Sequence, residues 1–422
     1  MSFGEALRVW LKIGCLGFGG PAGQIALMHR VIVDEKKWVD EARYLHALNF
    51  CMLLPGPEAQ KLATYVGWLL HGVRGGLAAG ILFVLPGALV MLAVSLLYVL
   101  GKGVPVVDGA LFGIKAAVLV IVVEALIRIG KRALKTGLLY AIAALAFIGI
   151  FFLDLPFPAI VVAAALAGYF FLEHQGVQQA TPPDPTRWRQ FWVATAVGLG
   201  LWWGPVALAI ALLGTGHVFA DIGLFFSKLA IVSFGGAYAL LSYLATEAVE
   251  TYHWMSAPEM VDGLGLAETL PGPLIKITQF VGFIAAWRDP GPLSPLAAGV
   301  LGAALTTWVT FAVPMLLIFA GAPFVEQLRS NKRLSGALNA ITAAVVGVIL
   351  NLTLWFALHV LFAEVKEERA GPLRWYAFDP LALDWKAAGL ALLAAVLAFR
   401  FKRGLIELIA LMAALGIAIR LL

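Results

Sequence analysis

The feature that most constrains this chain is a set of long stretches without one charged residue. Residues 77–100, 190–217, 290–325 and 334–363 contain no Asp, Glu, Lys or Arg. Each exceeds the roughly 20 residues that an α-helix needs to cross a bilayer. In lipid a backbone must satisfy its own N–H and C=O groups, which leaves helices and closed barrels as spanning structures. The stretches lack the two-residue alternation of a barrel strand, so the expected fold is all-α, a polytopic integral membrane protein. With 61% apolar and 13% charged residues and a mean hydropathy of +0.91, the chain has too few charges to coat a soluble surface.

Several function classes fall away on the same reading. The formal net charge of +5 sits mostly in short loops, where it reports topology, so no nucleic-acid partner is expected. Cys15 and Cys51 are too few and too isolated for a disulfide framework or a metal site. The seven histidines show no metal-ligand spacing, and no Gly-x4-Gly-Lys-Ser/Thr phosphate loop is present. No Ser/His/Asp set can be assembled, so neither an enzyme nor a cofactor is expected. Glu5, Arg8 and Lys12 in the first turns argue against a cleavable signal peptide, and the start reads as part of the mature protein.

A shift of 216 residues superposes the unusual residues of the chain on one another. Glu5 meets Asp221 and Lys12 meets Lys228. Phe18-Gly19-Gly20 meets Phe234-Gly235-Gly236, Trp38 meets Trp254, and Pro55-Gly56-Pro57 meets Pro271-Gly272-Pro273. A one-residue deletion then aligns Tyr65-Val66-Gly67 with Phe280-Val281-Gly282. Matches of Gly, Pro and Trp at one offset indicate internal duplication. The expected organisation is a first repeat over residues 1–174, a polar linker plus one extra apolar helix over 175–218, and a second repeat over 219–422. Basic residues Arg128, Lys131, Arg132 and Lys135 mark one loop of the first half, whereas Arg329, Lys332 and Arg333 fall in the preceding loop of the second. Under the positive-inside rule the halves face opposite ways, as two inverted-topology repeats.

The start of each half breaks the rules of an ordinary span. Paired glycines interrupt apolar stretches, and each Pro-Gly-Pro must interrupt a helix because proline removes a donor and clashes with the preceding turn. Pro57 and Pro273 are well placed to open new helices. Broken or re-entrant helices are therefore expected within residues 3–72 and 220–286, lining a cavity where irregular backbone is tolerated. The alternative, close-packing glycines and simple proline kinks, is weakened by repetition in both halves.

Charged residues at membrane depth default to a functional role. Glu5 and Lys12 share a helix face, and Asp221 and Lys228 repeat the arrangement, a membrane-edge ion pair being the alternative. Glu58, Lys61, Glu268 and Lys276 flank the two breaks, where helix N-termini present free N–H groups. Such a site suits a small oxyanion. Its candidate ligands are Lys12, Lys228 and Lys276, the segments Phe18-Gly19-Gly20 and Ser233, Gly235 and Gly236, the breaks at Pro55-Gly56-Pro57 and Pro271-Gly272-Pro273, and the amides Gln24 and Gln60. Glu58, Glu268 and Glu124 are the candidate proton-coupling carboxylates. Lys115 and Glu124 face opposite sides of one helix, and their approximate counterparts, Thr342 and Asn351, are uncharged.

These segments resemble the chromate ion transporter family in its long two-domain form. The resemblance rests on the Phe-Gly-Gly segments, Leu-Pro-Gly-Pro-Glu-Ala-Gln from Leu54, and the Tyr-Val-Gly-Trp and His-Gly-Val-Arg-Gly-Gly that follow. Leu85-Pro86-Gly87 and the second Thr-Leu-Pro-Gly-Pro complete it, so that it covers essentially the whole chain. It implies efflux of chromate from the bacterial cytoplasm across the inner membrane, chromate resistance, competition by sulfate and proton antiport. Transport of sulfate or another small anion, or a non-transporting sensor or scaffold, is the alternative. The second half departs from the first in carrying Leu274-Ile275-Lys276 where Glu58-Ala59-Gln60 stand. A homodimer is compatible with all of this.

Overall fold

The computed structural model describes residues 1–172, 185–234, 237–324 and 332–421. The first half opens with α1 (Phe3–Leu16), a bend, and α2 (Gly20–His29), which runs into a π-helical turn (Arg30–Glu35). Next come α3 (Glu41–Leu53), a break, α4 (Glu58–Gly101), α5 (Pro105–Ala133), α6 (Gly137–Phe151) and α7 (Phe157–Phe171). One helix, α8 (Pro185–Leu213), stands between the halves. The second half then repeats the order: α9 (Val218–Ile231), α10 (Ala237–Thr246), a π-helical turn (Glu247–Thr251), α11 (Ala257–Thr269) and a break. A 3-10 turn (Leu274–Lys276), α12 (Ile277–Arg288), α13 (Pro295–Gly321), α14 (Lys332–Leu361), α15 (Trp385–Ala395) and α16 (Leu405–Leu421) complete it. Under the 216-residue shift α3 and α11 coincide end for end.

Among the described residues α4, α5, α8, α13 and α14 hold stretches long and apolar enough to cross a membrane. The chain is thus an all-α, multi-pass membrane protein. The two segments expected to be broken are broken. None of α1, α2, α3, α9, α10, α11 and α12 exceeds 14 residues. At 1.5 Å per residue the longest reaches about 21 Å, short of a hydrocarbon core of about 30 Å. α4 is itself two helices, because His71 and Gly72 leave helical geometry and separate a short first arm from a long second one. Polar caps fix several starts: Ser2 accepts from the Glu5 N–H at 3.2 Å and Asp40 from the Arg43 N–H at 2.8 Å.

The helices assemble into two compact units, and each unit draws on both halves. The first comprises Met1–Ala93, Tyr169–Leu240 and Leu270–Leu338. Here α13 packs against α12, α9 and α8, and the Trp202 indole N–H donates to Ser227 Oγ at 3.0 Å. The second comprises Val94–Gly168, Leu241–Thr269 and Asn339–Leu422. Its core is α5 lying along α16, so close that a Cβ on Gly113 would meet the Met412 carbonyl oxygen at 1.8 Å.

One element departs from the helical pattern. Residues 364–386, a stretch of mixed charge in the sequence, contain a β-hairpin: β1 (Val365–Ala370) pairs antiparallel with β2 (Leu373–Phe378), Val365 opposite Phe378. Arg374 anchors it. Only 1% exposed, it donates to the Ile150 carbonyl at 2.7 Å, and its Nη1 lies 2.8 Å from Asp154 and 3.4 Å from Glu250. Glu367 stands 3.7 Å away. Three carboxylates share one guanidinium. Burial accordingly pushes Glu250, outside the candidate spans, up to about 7, although Arg374 acts in the other direction.

Replacing Arg374 by Ala leaves Glu250 without its cation, whereas Asp154 and Glu367 keep Arg369, each at 2.6 Å. Breaking such a pair costs about 3–5 kcal/mol, so thermal unfolding in detergent should move down by roughly 5–10 °C. Glu250→Gln should act the other way. A carboxyl whose folded pKa is raised stabilises less as pH rises from its ordinary value through about 7. The Gln variant should therefore unfold at a higher temperature than wild type at pH 8 and at the same temperature at pH 5.

Candidate functional site

The irregular backbone of the first unit is satisfied by a reciprocal exchange between the halves. The Gly56 N–H donates to the Ser233 carbonyl at 2.8 Å, and the Gly272 N–H donates to the Gly17 carbonyl at 2.9 Å. The same shift that carries Gly56 onto Gly272 carries Gly17 onto Ser233, so each break is held by the helix end of the other half. Two bonds related in this way are what a two-fold relation between the segments produces. Both central residues have to be glycine, with φ +102° at Gly56 and +93° at Gly272. Close packing adds to the requirement: a Cβ on Gly56 would lie 2.5 Å from Pro314 Cγ, and Gly272 Cα approaches the position of a Gly87 Cβ to 3.2 Å.

A second repeated contact involves two buried lysines. Lys61, 1% exposed, donates through Nζ to the Leu54 carbonyl. Lys276, 2% exposed, donates to the Leu270 carbonyl at 2.9 Å and to the Gly272 carbonyl at 3.2 Å. Leu54 and Leu270 are the residues just before the two Pro-Gly-Pro runs, so both breaks carry a lysine on the same carbonyl. Lys61 was not among the candidate ligands drawn from the sequence. The signal that identifies it is the one-residue deletion in the repeat alignment, which places Lys61 on Lys276.

Between the breaks lies a small cavity of about 20 Å³, lined by Pro21, Gln24, Gly56, Pro57, Glu58, Ala59, Ser233, Pro273, Leu274 and Ile275. That is room for about one water. Three helical segments begin at its wall, each with a proline at its start: α2 at Pro21, α4 after Pro57 and the 3-10 turn after Pro273. First-turn N–H groups have no carbonyl within their own helix and carry the positive end of its dipole. Gln24 is buried, and its Nε2 donates to the Gly17 carbonyl at 3.1 Å, beside the bond from Gly272. Apart from the half-buried Glu58, the wall is uncharged.

The remaining candidates are placed as follows. Phe18, Gly19 and Gly20 form the bend between α1 and α2, with φ +86° at Gly19 and +67° at Gly20. Pro55 and Pro271 lie within the breaks. Gln60 is buried, its Nε2 on the Phe311 carbonyl at 3.3 Å. Lys12 and Lys228 are exposed on α1 and α9, whereas Lys61 and Lys276 are buried beside the breaks; none of the four is in the cavity wall. Lys228 sits in an apolar stretch, but its side chain falls on the one exposed strip of α9. Glu5 pairs with Lys36 at 2.8 Å, from outside its own helix. Glu124 is exposed on α5, 4.0 Å from Arg128 one turn later, which is a surface ion pair. Glu268 is buried in the last turn of α11, in the second unit. Gly235 and Gly236 lie outside the described residues.

Comparison with known proteins gives a consistent picture. A family profile described as "Chromate transporter" matches residues 4–169 and 220–418, leaving out the stretch that holds α8. The "Chromate transport protein" of Pseudomonas aeruginosa is 34% identical over 402 residues, 93% of this chain and 87% of the relative. A "Probable chromate transport protein" of Synechococcus elongatus is 28% identical over 353 residues, 82% of this chain and 83% of the relative. An "Uncharacterized transporter" of Bacillus subtilis is 31% identical over 162 residues, only 37% of this chain but 81% of its own length. A protein of about one half therefore exists on its own. No solved structure matches the chain.

The two breaks make a sharp test of this geometry. Gly56→Ala and Gly272→Ala each force an L-residue into a positive-φ position and against a neighbour, and each should lower the unfolding temperature by several degrees. Gly20→Ala meets nothing within 4 Å. It should show only the cost of left-handed backbone, about 1–2 kcal/mol. Equal unfolding temperatures for the Gly20 and Gly56 variants would contradict the tight reciprocal packing.

Proposed function

The chain belongs to the chromate transporter family, and from that premise we propose that it carries chromate, a tetrahedral oxyanion dianion, out of the bacterial cytoplasm across the inner membrane. The observation that carries this reading is the cavity between the breaks, where helix N-termini converge and a buried lysine stands beside each break. N–H groups and ammonium groups are the donors that suit a dianion, and helix N-termini bind such anions in soluble proteins. In this reading Lys276 keeps the neutralising role that the sequence suggested for it, and Lys61 takes the one suggested for Lys12 and Lys228. The ligands are the first-turn N–H groups of Glu58, Ala59 and Leu274, with Gln24 and Ser233 beside them, while the Gly56 and Gly272 N–H groups stay on their carbonyls.

The cavity is smaller than a tetrahedral oxyanion, so binding goes with a widening of the breaks and a transfer of the lysines from backbone carbonyls to the anion. A dianion leaving a negative interior gains about 2.3 kcal/mol per charge per 100 mV, roughly 4–5 kcal/mol in all. Export is therefore downhill in potential, and proton antiport adds to it. The halves are read as inverted repeats, on the grounds of loop charge, the helix α8 between them and the reciprocal bonds at the breaks. Efflux of this kind confers chromate resistance, with sulfate the natural competitor because of its equal charge and shape.

Chromate uptake into inside-out vesicles tests the reading directly. Lys61→Met and Lys276→Met should each reduce uptake about 10- to 100-fold at unchanged protein level, the range expected for a lost charged hydrogen bond. Lys12→Gln and Lys228→Gln should stay near wild type. The reverse pattern would move the site to α1 and α9, and a preference for sulfate over chromate would reassign the substrate.

A further inference from the structure

Antiport requires that proton and anion do not travel together. Glu58 lines the anion cavity, where the electrostatics run the wrong way for that purpose. A dianion beside a carboxyl raises its proton affinity, so the two ligands assist each other's binding. The proton carrier of an antiporter has to be a group other than one on the anion's own cavity wall.

The second unit contains such a group. Lys115 stands about 15 Å along α5 from its start, near half the thickness of a hydrocarbon core. Its Nζ lies 2.8 Å from Asp262 Oδ1 on α11, with the two side chains 22% and 10% exposed. The Tyr98 hydroxyl donates to Asp262 Oδ2 at 2.9 Å. One turn earlier on the same face of α11, Glu259 is engaged by Lys102 at 2.6 Å and by the Ser256 N–H at 2.9 Å. Among the described residues, Lys115 from α5, Tyr98 from α4 and Glu259 on α11 are the ionisable groups that act on Asp262. α16 and the π-helical turn after α10, which carries Glu247 and Glu250, also touch α11, and among the described residues neither element supplies a group that acts on Asp262.

The duplication argues against a purely structural role. The 216-residue shift places Asp262 on His46, and Lys115 corresponds to Thr342, so the first half builds the same helix without an aspartate and the second half lacks the lysine. Buried ion pairs are seldom needed for stability and are often replaced without loss. Their presence at membrane depth points to use. α11 also runs, about two turns beyond Asp262, directly into the break whose Gly272 N–H holds the Gly17 carbonyl. Asp262 is thus joined by one short stretch of chain to the break at Gly272.

We propose that Asp262 and Lys115 form the proton-exchanging pair of this transporter. Asp262 takes up a proton from the side of higher acidity as its ion pair with Lys115 opens, and releases it to the other side as the pair closes. The assignment rests on the anion-transport reading, and the test separates the two. Purified protein in proteoliposomes is assayed for chromate–chromate exchange, which needs no proton, and for net chromate flux driven by a pH gradient at clamped membrane potential. Asp262→Asn should keep exchange and lose the acceleration by the gradient about tenfold or more, the scale of a typical coupling. Asp262→Glu should retain that acceleration. If Asp262→Asn folds poorly, the double variant Lys115→Gln/Asp262→Asn removes both charges together and should behave in the same way. Gradient-driven acceleration at the wild-type level in either Asn variant overturns the proposal, as does loss of exchange from folded protein. Wild-type exchange with no response to the gradient overturns it while leaving the anion site standing. Absence of wild-type exchange removes the anion reading and this assignment together.

Discussion

A backbone N–H at membrane depth has to find an acceptor within the protein, because lipid offers none. Each Pro-Gly-Pro run interrupts a helix where that demand is strictest. The chain meets it by crossing over: the donor in each break is taken by a carbonyl at the end of the first helix of the other half. Neither half can satisfy its own break in this way. The rest of the first unit follows from that dependence, including the glycines that let the breaks approach their neighbours and the lysines that occupy the carbonyls before each proline.

The crossing also explains why the compact units and the repeats do not coincide. A repeat that relied on its own contacts would fold as a block, with the boundary between blocks at the linker. Here each unit takes its helices from both repeats.

Symmetry at the breaks coexists with asymmetry elsewhere. Lys61 and Lys276 hold equivalent carbonyls, whereas Lys115 and Asp262 have no charged counterparts, and among the described residues the hairpin anchored by Arg374 occurs only in the second half. Duplication supplies two equal frames. The burial of one guanidinium among three carboxylates and the Lys115–Asp262 pair distinguish them.

Much of this was legible in the sequence. The uncharged stretches require a helical membrane protein, because of the two structures that satisfy a backbone in lipid only the helix fits stretches without two-residue alternation. Glycine and proline at one offset reveal the duplication and locate both breaks, because those residues act on the backbone whatever surrounds them. Side-chain direction was not legible in the same way. Lys228 lies among apolar residues yet faces outward, and Lys61 lies in an ordinary helical turn yet is buried, because a helix rotates its residues by about 100° each and only packing decides which face is covered. The pairing of Asp262 with Lys115 was also out of reach, since it joins residues far apart in the chain whose charges look unpaired until α5 and α11 meet. The hairpin was hidden because its charges read as a loop until Arg374 found its three carboxylates. Sequence alone determined the solvent, the helices, the repeat and the breaks; tertiary structure decided which charges face one another.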